Sequence, residues 1–238
     1  MKYYSIRESL DKKNVGTYPQ VIHARHNCHV WDEPKFIDKF YFTKIDFEPI
    51  TSNAILEKKA KLTDLISSNG IGFTLKLLIS GKLKKILERY SGKKYQFFQA
   101  PVIFKNELIN DYWLVNSYNF NLEFIDYDKS SINVSIRKKE GGTEPKSVIA
   151  SNLDKFMKIV NYHKERNEIV TITKVVLKKH IKCDFFALRY VGGGLFTVSE
   201  KLKKEIEGAG CTGIEFMPIE LTLNEWLHSE REKVYEKS

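Results

Sequence analysis

Two stretches of this 238-residue chain match each other without a gap at a constant offset of 119. Residues 79–97 and 198–216 share Ser80/Ser199, Lys82/Lys201, Leu83/Leu202, Lys84/Lys203, Lys85/Lys204, Glu88/Glu207 and Phe97/Phe216. Both read as a strand, a Ser, a short helix, a tight turn and a second strand. The Ser stands where a hydroxyl can cap the free N–H groups of a helix start. Each such unit lays the apolar stripe of its helix on its own pair of strands, so both halves of the chain carry one building block. Two copies at this spacing do not make a solenoid. The implied fold class is α+β, with mixed or antiparallel sheets, short helices and two pseudo-repeated strand–helix–strand units.

Periodicity fills in the rest. Asn53 can cap a helix to about Ser68, with Ile55, Leu62, Leu65 and Ile66 on one face and Asn69-Gly70 ending it. Phe73, Leu75, Leu77 and Ile79 alternate as a strand does. Residues 81–90 suit a helix with Leu83, Ile86, Leu87 and Tyr90 inward, and 95–98 a strand limited by Pro101. Further strands are expected over 111–118, 122–127, 132–137, 169–177 and 184–190, with a loop at 140–145 and a helix from Asn152 to about His163. Gly192-Gly193-Gly194 lacks the spacing of a phosphate-binding loop and reads as a hairpin or loop. The organisation expected is an N-terminal segment, 1–52, without an assigned role, and an α+β domain over 53–238. One domain with two lobes is the open alternative.

The chain carries 39 Lys and Arg against 30 Asp and Glu, a net charge of +9. The excess is concentrated. Residues 57–94 hold ten basic and three acidic side chains, whereas 101–135 and the stretch from Glu200 onward are each −3. A basic segment on a near-neutral body can attract an acidic protein face, nucleic acid or an acidic lipid surface. Lys outnumbers Arg there and no nucleic-acid motif accompanies it, so nucleic acid is the less favoured partner. Cys28, Cys183 and Cys211 are too few and too scattered for a disulfide scaffold and fit a reducing compartment. No apolar run has signal-peptide or membrane-helix form, so a cytoplasmic location without membrane association is expected.

Chemistry-bearing clusters are sparse. His23, His26, Cys28 and His29 put four metal-competent side chains within seven residues, but no second ligand pair of the usual spacing follows. Asp126 and Asp128, two apart on an expected strand, would point the same way and could hold Mg²⁺ or share a proton. A metal-dependent enzyme built on these residues, or a basic nucleic-acid binder, is the alternative to a binding protein. No nucleophile motif is present, no catalytic residue stands out and no cofactor is implied. The sequence leaves the oligomeric state open.

Three blocks carry a family resemblance. The first is Leu195–Lys204 followed by Gly208–Phe216, a strand ending in Val198-Ser199, a helix, then Gly210-Cys211-Thr212-Gly213-Ile214-Glu215-Phe216. The second is Tyr112-Trp113-Leu114-Val115-Asn116 followed by Phe124-Ile125-Asp126 and Ser130. The third is Leu78–Leu83 followed by Tyr95–Val102. Together they resemble the eleventh immunity family of bacterial polymorphic toxin systems, over about residues 70–219. Cys211 stands where that family usually has Leu. The resemblance implies a non-catalytic protein that binds and neutralises a cognate protein toxin. It marks Trp113, Asn116, Asp126, Ser130, Ser199, Gly210, Thr212, Gly213 and Phe216 as structural motif positions. Zinc-binding relatives carry paired CxxC motifs, and this chain has none. Within the basic window, Lys82, Lys84, Lys85 and Arg89 are the residues expected to meet an acidic toxin face.

Overall fold

A computed structural model describes residues 1–68, 70–92, 94–192 and 194–235. Asn69 of the expected helix end, Lys93 of the basic window and Gly193 of the glycine run lie outside the described residues. In chain order the strands are β1 (Tyr3–Glu8), β2 (Val21–His26), β3 (Ser52–Leu56), β4 (Leu65–Ile66), β5 (Leu77–Ser80), β6 (Tyr95–Gln99), β7 (Val102–Phe104), β8 (Glu107–Ile109), β9 (Tyr112–Ser117), β10 (Ser131–Arg137), β11 (Thr143–Val148), β12 (Ile169–Lys174), β13 (Phe185–Ala187), β14 (Phe196–Ser199) and β15 (Ile214–Pro218). The helices are α1 (Lys12–Val15), α2 (Gly81–Ser91), α3 (Leu153–Lys164), α4 (Glu200–Gly208), α5 (Leu223–Glu225) and α6 (Arg231–Tyr235). This is an α+β fold, as expected. Among the described residues no helix is long and apolar enough to cross a membrane.

The chain divides into two compact units. One comprises Met1–Ile6, Phe120–Glu200 and Phe216–Ser238, the other Arg7–Asn119 and Lys201–Glu215. In the first, α3 rests its Phe156 and Val160 in a core shared with Ile132, Val134, Val170 and Ile172 of the sheet β11-β10-β12. Asn152 caps α3 by accepting from Lys155 N at 2.9 Å. In the second unit, the sheet β2-β3-β7-β8 and neighbouring strands enclose Phe36, Ala54, Phe73, Leu78, Val102 and Leu114.

Two four-stranded sheets contain the matching segments. One has the order β4-β5-β9-β6 and the other β13-β14-β1-β15. In each, a strand ending in Ser pairs antiparallel with a strand that follows an Asp. Ser80 N donates to Asp64 O at 2.8 Å, and Ser199 N donates to Asp184 O at 2.9 Å. The Ser hydroxyls donate to Asp64 Oδ1 at 2.6 Å and Asp184 Oδ1 at 2.5 Å.

Several local expectations fail for tertiary reasons. Residues 53–68 are not a helix. Ser52–Leu56 forms β3, hydrogen-bonded to β2 on one side and β7 on the other, and Leu62, placed on the inward face by helical spacing, is exposed. The strand expected from Phe73 begins at Leu77. Before it, the Asp38 carboxylate accepts from Gly72 N at 2.5 Å and from the Thr74 hydroxyl at 2.9 Å, winding 70–75 into a turn. Leu75 takes a left-handed φ of 57° and is exposed. Residues 122–127 are a 3₁₀ turn and a bridge between Ile125 and Leu177. The expected loop at 140–145 tightens to a turn, and its end opens edge strand β11.

Glu8, at the end of β1, has been drawn out of water. Its carboxylate accepts weakly from Ser68 N at 3.4 Å, and burial, opposed only in part by that bond and by Arg7, pushes its pKa up to about 7. The folded protein therefore holds this proton more tightly than the unfolded chain, whose carboxyl titrates near 4.5. Its favourable contribution is full below that range and is lost as pH rises through 7. Glu8→Gln should match the parent's denaturation midpoint near pH 4 and exceed it at pH 8. A shift of this size is worth up to roughly 3 kcal/mol. Urea melts at the two pH values measure the difference. Parallel pH profiles for parent and variant would show that Glu8 is solvated.

Candidate partner-binding face

The site grows from how the second unit places α2. Ser80 accepts from Leu83 N at 3.2 Å, so the helix starts where the sequence indicates. Leu83, Ile86 and Leu87 are buried. The residues between them, Lys82, Lys85 and Arg89, consequently share the exposed face at three- and four-residue spacing. Gly81 at the first position leaves room for the Asp111 carboxylate, which a Cβ there would displace.

One carboxylate fixes the start of the helix. Asp64 is buried, and its Oδ1 receives the Ser80 hydroxyl. Its Oδ2 receives Thr212 N at 2.8 Å and pairs with Lys82 Nζ at 3.1 Å. Lys82 Nζ also donates to Gly210 O at 2.9 Å. Gly210 and Gly213 take left-handed φ values of 66° and 79°, and Gly213 lies so close to Leu65 O that no side chain fits. Burial pushes the Cys211 thiol up to about 11, which leaves it a packing group rather than a nucleophile.

The far end of α2 is tied to α4. Arg89 forms an ion pair with Glu205 Oε1, and the Tyr90 hydroxyl donates to Glu205 Oε2 at 2.5 Å. The Tyr90 hydrogen bond, and then the Arg89 guanidinium, hold the Glu205 carboxyl below its usual range. Lys201 Nζ lies 5.1 Å from the Tyr90 ring centre. Between these ties runs an open cleft of about 690 Å³, lined by Lys82, Lys85, Ile86, Arg89, Asp111, Glu205, Gly208 and Ala209. Lys85 has no ion-pair or hydrogen-bond partner among the described residues.

The structure thus gathers three of the four expected basic residues around one cleft and sets Lys84 apart. Lys84 pairs with Glu88 at 2.6 Å and its Nζ lies 4.4 Å from the Trp113 ring centre, so it packs α2 onto β9. Asn116 donates to Thr43 O at 3.0 Å and Gln96 Oε1 at 3.2 Å. Phe216 is buried, and its N–H donates to the Tyr235 hydroxyl at 2.8 Å.

The remaining candidates do not assemble into chemistry. Asp126 lies in a turn rather than a strand. Its carboxylate is taken by Lys129 at 2.6 Å, and its carbonyl accepts the Ser130 hydroxyl at 2.8 Å. Ser130 Oγ in turn accepts from Val176 N at 3.0 Å, so the Asp126/Ser130 motif is a staple. Asp128 is exposed. In the other cluster, His23 is exposed, His26 Nδ1 bonds Ser52 Oγ at 2.8 Å, and His29 pairs with Asp32 at 2.7 Å. Cys28 packs against the core with its thiol pushed up by burial. Among the described residues no three His, Cys, Asp or Glu side chains are grouped to hold a metal ion.

Asp64 and Glu205 went unnoticed in the sequence, although Asp64 had a signal. It precedes two apolar residues and stands 16 residues before the capping Ser80, as Asp184 stands 15 before Ser199. Asp64→Asn should cost roughly 2–4 kcal/mol, because an amide nitrogen must face a hydroxyl or N–H donor and Lys82 loses its counter-charge. The urea midpoint checks this. A loss under about 0.5 kcal/mol would show the node to be dispensable.

A family model described as an immunity protein family, Imm11, matches residues 39–221. No curated protein matches the chain.

Proposed function

The chain belongs to the Imm11 immunity protein family, and we propose that it neutralises a cognate protein toxin without catalysis, by docking the α2–α4 cleft onto an acidic surface of that toxin. The observation that carries this reading is the cleft itself. Lys85 projects uncommitted from a helix that is capped, packed and tied at both ends, flanked on the same face by Lys82 and Arg89, which are exposed but held by Asp64 and Glu205. Side chains on such a braced element lose little further freedom on binding. Complementary charge speeds encounter and selects the partner more than it prolongs the complex. A complex of this kind buries roughly 1,200–2,000 Å², so the cleft forms its electrostatic centre and the surrounding surface the rest.

The test uses the protein encoded by the gene immediately upstream, with growth rescue as the biological readout. Calorimetry should give tight one-to-one binding to its C-terminal domain. Lys85→Glu combined with Arg89→Glu should slow association by about tenfold or more at low salt while changing dissociation less, and added salt should erase the difference. Lys82 is left intact because it also braces the buried Asp64; Arg89→Glu breaks the more exposed pair with Glu205, so the variant must melt with the parent for its rates to count. Equal association rates for parent and variant would remove the cleft from the interface. Absence of binding and rescue would remove this toxin as the partner.

A further inference from the structure

The first unit holds a cleft of its own, about 540 Å³, where the segment 177–182 passes Tyr3. Its floor is apolar. Leu177 and Ile181 are half-buried and Tyr3 is buried. Its rim is cationic. Lys178, Lys179 and Lys182 are exposed, and none has a side-chain partner among the described residues. Among the described residues no carboxylate lines it. The segment is held in shape rather than loose. The Tyr3 hydroxyl donates to Ile181 O at 3.0 Å, Lys178 N donates to Phe124 O at 2.8 Å, and Leu177 bridges Ile125. His180 adopts a left-handed φ of 66°, a conformation that costs a non-glycine residue energy and is retained where surrounding contacts impose it.

We propose that this cleft binds an acidic peptide segment, its carboxylates meeting Lys178, Lys179 and Lys182 and its apolar side chains resting on Leu177 and Ile181. Charge complementarity names the sign of the ligand, and the floor requires that it be amphipathic. Three lysines offer compact point charges that suit separate carboxylates, without the forked geometry an arginine gives a phosphate. A single strand of nucleic acid would need a platform of open aromatic faces to stack on, whereas Tyr3 is buried with its hydroxyl committed and His180 offers a single exposed imidazole. A lipid surface would need several large apolar side chains standing proud of the charges, whereas of the apolar residues named in the lining Met1 is exposed but Leu177 and Ile181 lie at the floor. The proposal is independent of the toxin reading and uses none of the residues of the α2–α4 cleft.

Fluorescence anisotropy of a short labelled peptide alternating glutamate and leucine tests it on the full chain. Saturable binding at low salt is expected, weakening steadily as salt rises. The combined variant Lys178→Glu, Lys179→Glu, Lys182→Glu should bind at least about tenfold more weakly, a change of 1.4 kcal/mol. The milder triple Gln variant should lie between it and the parent. Both should melt with the parent, and the Lys85→Glu, Arg89→Glu variant should bind the peptide normally. Replacing leucine by serine in the peptide should weaken binding severalfold. No saturable binding, equal binding by the triple variants or by the serine peptide, or stronger retention of a single-stranded oligonucleotide or of phosphatidylserine vesicles would each overturn the proposal.

Discussion

The Asp64 carboxylate is the constraint on which the candidate site depends. A buried charge costs several kcal/mol in lost hydration, and only close, charge-assisted hydrogen bonds offset that. Asp64 finds them in three places: the hydroxyl at the start of α2, the first helical lysine and the backbone of the 210–213 turn. Two of these donors, Ser80 and Lys82, stand at the junction of β5 and α2 and the third on the distant 210–213 turn, so satisfying one side chain fixes a strand, a helix and a turn together. The two glycines of that turn are part of the same arrangement, since Gly213 must sit against the carbonyl of Leu65. The direction in which Lys85 and Arg89 project follows from this anchoring and from the buried stripe beneath them.

The same chemistry recurs at Asp184 and Ser199, where an Asp carbonyl receives the Ser N–H and the carboxylate receives the hydroxyl. The strand orders β4-β5-β9-β6 and β13-β14-β1-β15 also correspond. They differ in where the third strand comes from. In one sheet it is β9, which follows β6 directly in the chain order of that sheet, and in the other it is β1, from the beginning of the chain. The offset match along the sequence covers only the strand–Ser–helix–strand stretch, which is contiguous in both segments. It is blind to a sheet position filled from opposite directions along the chain.

That distinction between contiguous and assembled structure explains what the sequence made legible. α2 and α3 were readable because each has its own cap and its own apolar stripe, in Ser80 with Leu83, Ile86 and Leu87, and in Asn152 with Phe156 and Val160. β9 and β10 were readable from compact apolar runs. Residues 53–68 misled because spacing compatible with a helix is overridden when a strand can be paired on both edges. Residues 70–75 misled because Asp38, more than 30 positions away, captures their backbone. The cationic face of the site was legible from helical spacing. Its closure was not, because Glu205 lies 116 residues from Arg89 and nothing local marks them as partners.

Charge counting alone overstates what a surface can offer for a related reason: a folded chain spends many of its charges on itself. Within the basic window, Lys76 is buried beside Asp38 at 3.7 Å, Lys82 braces Asp64, Lys84 packs on Trp113 and pairs with Glu88, and Lys61 Nζ donates to Lys13 O. Such lysines cannot be offered to a partner without leaving an acid or a carbonyl unsatisfied. Lys85 can be offered at no such cost, and so can Lys178, Lys179 and Lys182, which lie outside the window that the sequence singled out. Both proposed contacts with acidic partners therefore rest on cations that are exposed and uncommitted, on a backbone held by other groups, rather than on the sum of charges along any stretch of the chain.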